Sequence, residues 1–297
     1  MSRIRRIVAR ESIVGTDTRI RRALPHKELR MIGAWCFLDH AGPVRFGPGQ
    51  GLHVGPHPHI GLQTFTWMIE GEVMHRDSLG FEQVVAPGQV NLMTAGRGIA
   101  HSEDSVADGT CMHAAQLWIA LPDSERHRAP SFRNYPRLPV VDCGGFCATV
   151  LAGSVFGQTS PVEVFSPILG VDFASASAAS TVFECNPDWE YGAMVLEGEA
   201  TVDGEALPQG QLLYFPPGHG AIPVSCTEAA RVLLLGGAPF GESVLLWWNF
   251  VARSQDEMEQ AVADWNTGSG RFGTVREGSS ADRIPAPSLD GVTLRPR

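Results

Sequence analysis

The chain contains 297 residues, of which 43% are apolar and 19% are charged. At roughly 150 residues per domain, this length predicts about two domains, and the apolar content excludes a chain that is disordered throughout. The formal net charge of −9 at pH 7 argues against direct binding to nucleic acid through a general positive field.

Apolar runs, the N-terminus and the cysteines all favour a cytoplasmic protein. The richest apolar stretch, residues 232–251, is interrupted by glycine, proline and glutamate, so it falls short of the roughly 18 apolar residues that a membrane helix needs. No apolar segment of a secretory signal follows the N-terminal arginines. The six cysteines form no C-x-x-C pair, which favours reduced thiols. We therefore expect a cytoplasmic protein that does not bind membranes.

Short apolar runs separated by turns occur along the whole chain. Examples are residues 62–73, 89–96 and 114–121 in the first half, and 193–202 and 211–215 in the second. The 33 glycines and 21 prolines are spread between such runs, a pattern typical of many short strands joined by turns. The sequence therefore predicts a mostly β protein.

Two sequence matches relate the two halves of the chain. Met68–Val73 matches Val195–Ala200 at an offset of 127, and Gly88–Leu92 matches Gly210–Tyr214 at an offset of 122. A strand, a glycine turn, a second strand and a Pro/Gly turn follow one another, which is the rhythm of a double-stranded jelly-roll barrel. We interpret the matches as the remains of a duplicated barrel.

The boundary between the two barrels is predicted from composition. Residues 122–140 contain four prolines and four arginines and few apolar residues, which is typical of a linker. The prediction is an N-terminal barrel over residues 1–125, a linker over 126–142 and a C-terminal barrel over 143–297. The C-terminal barrel would include a helix and the tail of the chain.

That helix is predicted from its cap and its apolar face. Ser254 and Glu257 have the spacing of a capping box. Apolar residues then recur at i, i+3, i+4 and i+7, which places them on one face of a helix. These residues are Met258, Ala261, Val262 and Trp265.

Two short motifs in the first half carry candidate metal ligands, His57-Pro-His59 and His101-Ser-Glu103. Residues i and i+2 of a strand point to the same face of the sheet, so two neighbouring strands could direct all four side chains to one point. Three imidazoles and a carboxylate suit a divalent transition metal and leave positions open for water, O2 or substrate. Neither motif is specific alone, and the simplest interpretation of an isolated H-x-H is an exposed pair on a strand edge.

The second half lacks these motifs. Adding the two repeat offsets to the four candidate ligands gives Glu184, Asn186, Pro223 and Ser225. Because none of these is a histidine, we expect the second barrel to bind no metal. His219 is expected to have a structural role.

Several segments of the chain match a known family. They are FLDHAGP (37–43), RFGPG (45–49), HPHIG (57–61), HRDSLG (75–80), TAGRGIAHSE (94–103), GAPFGE (237–242) and WWNFVAR (247–253). Together they resemble pirins, a family of the cupin superfamily. The resemblance implies an all-β fold of two stacked cupin barrels with a C-terminal helix, and we expect a monomer because the barrels can cover each other. It also implies one metal in the N-terminal barrel, expected to be Fe(II), with His57, His59, His101 and Glu103 as ligands.

Two further residues are interpreted from the same resemblance. Cupins commonly have glutamate in the first motif where this chain has Gln63, which we expect to be a group outside the ligand set or a weak ligand. His75, in the pirin-like HRDSLG segment, is expected to form hydrogen bonds on a turn.

The resemblance implies alternative functions. Some pirins open the central ring of flavonols such as quercetin with O2 and release carbon monoxide; Glu103 would then be the general base that takes the proton of the 3-hydroxyl. Pirins are also partners of transcription regulators, and the iron would then act as a non-enzymatic redox sensor. A third alternative is isomerase or other oxygenase chemistry, because a fold does not fix a function. The expected partners are a flavonol-like molecule with O2, or a regulatory protein.

Overall fold

The computed structural model describes residues 4–15, 18–107, 109, 111–276 and 278–295. These residues form two compact units, called the first and second barrel below. The first barrel comprises Ile13–Ile20, Ala41–Pro136 and Gly241–Arg297, and the second comprises Met1–Ser12, Arg21–His40 and Arg137–Phe240.

Nearly all regular structure in the described chain is β-strand. The strands are β1 (Arg5–Val8), β2 (Arg10–Val14), β3 (Thr18–Leu24), β4 (Trp35–Arg45), β5 (His53–His59), β6 (Leu62–Glu70), β7 (Val73–Asp77), β8 (Glu82–Val85), β9 (Val90–Thr94), β10 (Ile99–Ser105), β11 (Cys111–Ala120), β12 (Ser131–Tyr135), β13 (Val140–Cys143), β14 (Phe146–Ala152), β15 (Ser154–Val155), β16 (Gln158–Thr159), β17 (Ile168–Ser175), β18 (Ala179–Glu184), β19 (Glu190–Glu197), β20 (Glu199–Val202), β21 (Glu205–Pro208), β22 (Gln211–Phe215), β23 (Ala221–Cys226), β24 (Ala230–Gly237), β25 (Leu245–Trp247) and β26 (Phe250–Ala252). Helix α1 spans Gln255–Asn266, and a 3-10 turn covers Gly270–Phe272.

The two barrels share one strand order. The sheets that contain the first barrel's strands have the orders β12-β9-β6-β11-β4-β3-β2 and β5-β10-β7-β8, and those of the second have β1-β22-β19-β24-β17-β14-β13 and β18-β23-β20-β21. The repeated sequence segments fall on β6 and β19 and on β9 and β22, which take the same places in the two large sheets. The predicted pair of jelly-roll barrels is therefore confirmed.

The C-terminal segment Gly241–Arg297 belongs to the first barrel, whereas the composition of the chain led us to expect it in the second. The reason is packing: the buried face of α1 lies in one apolar cluster with Phe250 and Ile60. The N-terminal strand β1 likewise differs from the expected division, because it pairs with β22 of the second barrel. The packing of α1 near Ile60 and the pairing of β1 with β22 both join segments that are far apart in sequence.

The predicted helix itself is confirmed. Ser254 is its N-cap, and the Ser254 hydroxyl accepts a hydrogen bond from the Glu257 N–H at 3.3 Å. The four apolar residues named from the sequence are the ones that α1 buries. Within the described part of the chain, helices are too short or too polar to cross a bilayer.

The second barrel has an apolar interior. Its buried cluster includes Phe146, Phe173, Phe183, Tyr191 and Phe215, all at most 2% exposed. Edge-to-face contacts connect several of these rings, for example Phe146 with Phe173 at 5.8 Å between centroids. Such packing fills the interior of the second barrel mainly with apolar rings.

Candidate metal centre

Two adjacent strands of the first barrel bring three histidines together. Strand β5 carries His57 and His59, and β10 carries His101, whose Cα lies opposite that of His57 in the antiparallel pair. The alternation of side chains along a strand directs His57 and His59 to the same face. All three histidines are buried, at 7%, 1% and 2% exposure.

The ring nitrogens of these histidines converge. One nitrogen from each of His57, His59 and His101 lies within 4.8 Å of the others. The closest pair is His59 Nε2 and His101 Nε2, which are 3.1 Å apart. Among the described residues, this is the cluster of histidine, cysteine and acidic side chains that has the spacing of a metal site.

The other nitrogen of each ring has a partner of its own. His57 Nδ1 lies 2.9 Å from the Gly55 carbonyl oxygen, and His59 Nδ1 lies 3.2 Å from the Asn249 carbonyl oxygen. A carbonyl oxygen only accepts hydrogen bonds, so both Nδ1 atoms carry the proton. In a neutral ring the Nε2 atom then presents a lone pair to the centre of the cluster.

The C-terminal hairpin places the Asn249 carbonyl. Strands β25 and β26 form a tight antiparallel hairpin in which Trp247 faces Phe250, and the Val251 N–H donates to the Ile60 carbonyl at 3.1 Å. Gly61 has φ +68°, and a Cβ there would lie 2.1 Å from the Val251 carbonyl oxygen. A glycine is required at this position for the hairpin to approach the end of β5.

Electrostatics keep the three rings neutral. Burial lowers the pKa of His57 to about 4. Burial also lowers the pKa values of His59 and His101 well below the ordinary histidine value, and the neighbouring histidines add to this effect. Two neutral rings that face each other with lone pairs at 3.1 Å repel unless a cation lies between them. The donor set therefore fits a divalent transition metal.

Glu103 lies two residues beyond His101 on β10, after a bulge in the pairing with β5. The side chain is half-buried, and burial, together with the charge of Asp104, raises the pKa of its carboxyl to about 7. Its oxygens do not belong to the 4.8 Å cluster formed by the described residues. The role of Glu103 as fourth ligand stays a prediction.

Gln63 lies outside the cluster: its side-chain amide donates a hydrogen bond to the Thr94 hydroxyl at 3.0 Å. His75 was expected on a turn, but it lies in strand β7, because β7 pairs with β10 along its full length. Its Nδ1 is 3.2 Å from His101 Nδ1, and its Nε2 is 3.1 Å from a carboxylate oxygen of Asp77.

Sequence reasoning missed three groups around the histidines. The carbonyls of Gly55 and Asn249 leave no trace in residue type, because any residue supplies a carbonyl. Asp77 had a usable signal: it follows His75 at i+2, the same spacing that identified His57 and His59.

Two family models match the chain. The model described as Pirin matches residues 17–119, and the model described as Pirin C-terminal cupin domain matches residues 170–273. The sequence is similar to that of a putative quercetin 2,3-dioxygenase from Pseudomonas aeruginosa, with 49% identity over 96% of this chain and 90% of that protein.

The fold is also similar to solved structures. The fold is similar to a crystal structure of a quercetin 2,3-dioxygenase from Acinetobacter baumannii, with a TM-score of 0.95, 50% identity and coverage of 99% of this chain and 97% of that one. It is also similar to a bacterial pirin from Escherichia coli solved in complex with nickel(II), with a TM-score of 0.65, 21% identity and coverage of 80% and 100%. At that identity the second likeness concerns the fold alone.

Proposed function

The chain belongs to the pirin family, and from this premise we propose that it is a metal-dependent dioxygenase that opens flavonols such as quercetin with O2. The names of the relatives support the substrate class. The observation that carries the metal dependence is the convergence of three Nε2 lone pairs in a buried site whose Nδ1 atoms are all engaged elsewhere.

In this proposal His57, His59 and His101 hold the metal through Nε2, and Glu103 is the fourth ligand. A bound Fe(II) would supply charge stabilisation and orient the substrate oxygens and O2 in contact with each other. Three imidazoles and a carboxylate also accept other divalent metals. Fe(II) is proposed on the family resemblance, and elemental analysis of the purified protein identifies the metal.

The residues of the chain have separate tasks. The three histidines bind the metal, and the hydrogen bonds of their Nδ1 atoms keep Nε2 free of a proton. Glu103 accepts the proton of the flavonol 3-hydroxyl on a carboxylate oxygen, as a general base. Glu103 follows His101 by two residues on β10, a spacing that supports a base on the same face of the strand as this histidine.

The test is aerobic loss of the quercetin absorbance band with iron-loaded protein, alongside protein stripped by a chelator. We expect turnover that scales with metal content. Glu103→Gln keeps the side chain's size and removes the base, so we expect it to retain part of the metal and to lose most of the turnover. Fully loaded wild-type protein that leaves quercetin intact would contradict the dioxygenase function, and a fully active Glu103→Gln variant would contradict the role of the base.

Location and assembly complete the proposal. The six cysteines are all free thiols, which supports a reducing compartment such as the cytoplasm. We propose a monomer, which size-exclusion chromatography with light scattering tests directly.

A further inference from the structure

A buried hydrogen-bond chain lies behind one of the three histidines. It runs from Asp77 through His75 to His101: Asp77 Oδ2 is 3.1 Å from His75 Nε2, and His75 Nδ1 is 3.2 Å from His101 Nδ1. His75 and Asp77 are 3% and 1% exposed. The proposed function counts the contact between His101 and His75 but assigns no task to Asp77.

We propose that Asp77 and His75 are positioning residues that fix the proton of His101 on Nδ1 and thereby keep its Nε2 available for the metal. This inference rests on the proposed metal site. It extends that site to a charged group that does not itself touch the metal.

The order of donors along the chain follows from the carboxylate. Asp77 Oδ1 already accepts the N–H groups of Leu79 at 2.9 Å and Phe81 at 3.1 Å, which leaves Oδ2 for His75. A carboxylate only accepts, so His75 Nε2 carries a proton, and in a neutral ring His75 Nδ1 has the lone pair. His101 Nδ1 must then donate to His75, and the lone pair of His101 lies on Nε2.

Strand pairing and ring stacking hold the three residues of this hydrogen-bond chain in place. Strands β7 and β10 pair so that the Cα atoms of Asp77 and His101 are partners, as are those of His75 and Glu103. The ring of His75 also stacks on Phe132, with centroids 4.2 Å apart and an interplanar angle of 10°. A flip of the His75 ring that exchanged its nitrogens would break both hydrogen bonds.

His101 differs in this respect from the other two ligands. His57 and His59 donate to neutral backbone carbonyls, of Gly55 and Asn249. His101 donates through His75 to a carboxylate, an anionic acceptor that stabilises positive charge developing on the ring. The Asp77 charge would therefore act on a bound metal through two imidazole rings.

Asp77→Asn tests the donor order directly. The two backbone N–H groups hold the amide oxygen at the Oδ1 position, so the amide NH2 faces His75 and the order of donors reverses. The proton of His101 then moves to Nε2, where the metal binds. We expect the affinity for Co(II), measured by competition with a chelator, to fall roughly 10- to 100-fold, and the visible absorption bands of the Co(II)-loaded protein to change.

Two variants of His75 keep the test decisive if Asp77→Asn does not fold. His75→Gln retains one donor for Asp77 and one acceptor for His101, whereas His75→Phe retains the stack on Phe132 and removes both. We expect His75→Gln to bind Co(II) more tightly than His75→Phe does. We also expect the spectrum of Co(II)-loaded His75→Gln to resemble that of the wild type more closely than the spectrum of His75→Phe does. Equal affinities and spectra in the two variants would overturn the proposal.

The matched control is Asp172→Asn in the second barrel. Asp172 is also buried and accepts from Arg231, so the substitution makes the same chemical change far from any histidine ligand in sequence. We expect it to lower stability and to leave Co(II) affinity unchanged. Asp77→Asn with wild-type affinity and spectrum would overturn the positioning role, whereas a wild-type protein that binds no Co(II) would overturn the proposed metal site itself.

Discussion

The two barrels have the same strand order, but different side chains fill one pair of corresponding strands. In the first, β5 and β10 carry buried His57, His59 and His101. In the second, the corresponding strands β18 and β23 bury Phe183 and Ile222. The comparison shows that the jelly-roll framework accepts either filling, so the strand order alone does not create the site.

The polar interior needs support that the apolar interior does not. Burying an imidazole without a partner costs free energy, and each of the three buried histidines has a partner for its Nδ1 atom that offsets this cost. In the second barrel, His219 donates from Nδ1 to the Pro216 carbonyl at 2.8 Å and packs its ring edge against Phe215. That arrangement matches the structural role expected from the sequence.

The largest expected effect comes from a substitution that creates a cavity in the second barrel. Phe173 is 0% exposed and contacts the rings of Phe146 and Phe156. Phe173→Ala should lower the free energy of unfolding of the second barrel by about 3–5 kcal/mol. Denaturant unfolding measures the loss, with Val182→Ala as control because Val182 is 53% exposed on β18. Metal content should stay at the wild-type level, and a loss of metal would show that the two interiors are not independent.

The next largest expected effect is a loss of metal affinity in the first barrel. His59→Ala removes one of the three proposed nitrogen ligands, and we expect metal affinity to fall by more than about 100-fold, since loss of an outer partner alone costs 10- to 100-fold. The control is Glu184→Ala, at the position that the repeat offset assigns to His57. Elemental analysis after dialysis should find metal in the control and none in His59→Ala. Retention of metal by His59→Ala would place the site elsewhere.

Much of the fold and of the histidine cluster could be predicted from the sequence. The parts that could not be predicted depend on long-range contacts and on backbone groups. The i, i+2 spacing of His57 and His59 reports directly on a strand face, and the capping residues of α1 act within one turn. The Asn249 carbonyl lies 190 residues from His59 along the chain, and a backbone group has no residue-type signature. The same holds for the placement of Gly241–Arg297 in the first barrel, which depends on long-range packing.

The smallest expected effect concerns the helix that the first barrel carries. Glu257, in the first turn of α1, accepts from the Arg253 N–H at 2.9 Å and from the Arg126 guanidinium at 2.7 Å. Burial raises the pKa of Glu257, but these hydrogen bonds and the Arg126 charge outweigh it, so the pKa lies below its usual value of 4.5. Because the folded pKa is depressed, the ionised carboxylate stabilises the fold above about pH 4.5 and this contribution is lost as the pH falls through the folded value.

Glu257→Gln should therefore lower the stability of the metal-free first barrel by about 0.2–1 kcal/mol near pH 7, the range for a partly exposed ion pair. The difference from wild type should shrink as the pH falls below about 4.5, because the wild-type carboxyl becomes protonated and then resembles the amide. Denaturant unfolding at a series of pH values measures this, with Glu259→Gln as control, since the Glu259 carboxylate accepts from Gln255 on the same helix. A difference that stays constant down to pH 3 would mean that the shape of Glu257, rather than its charge, holds the helix to the first barrel.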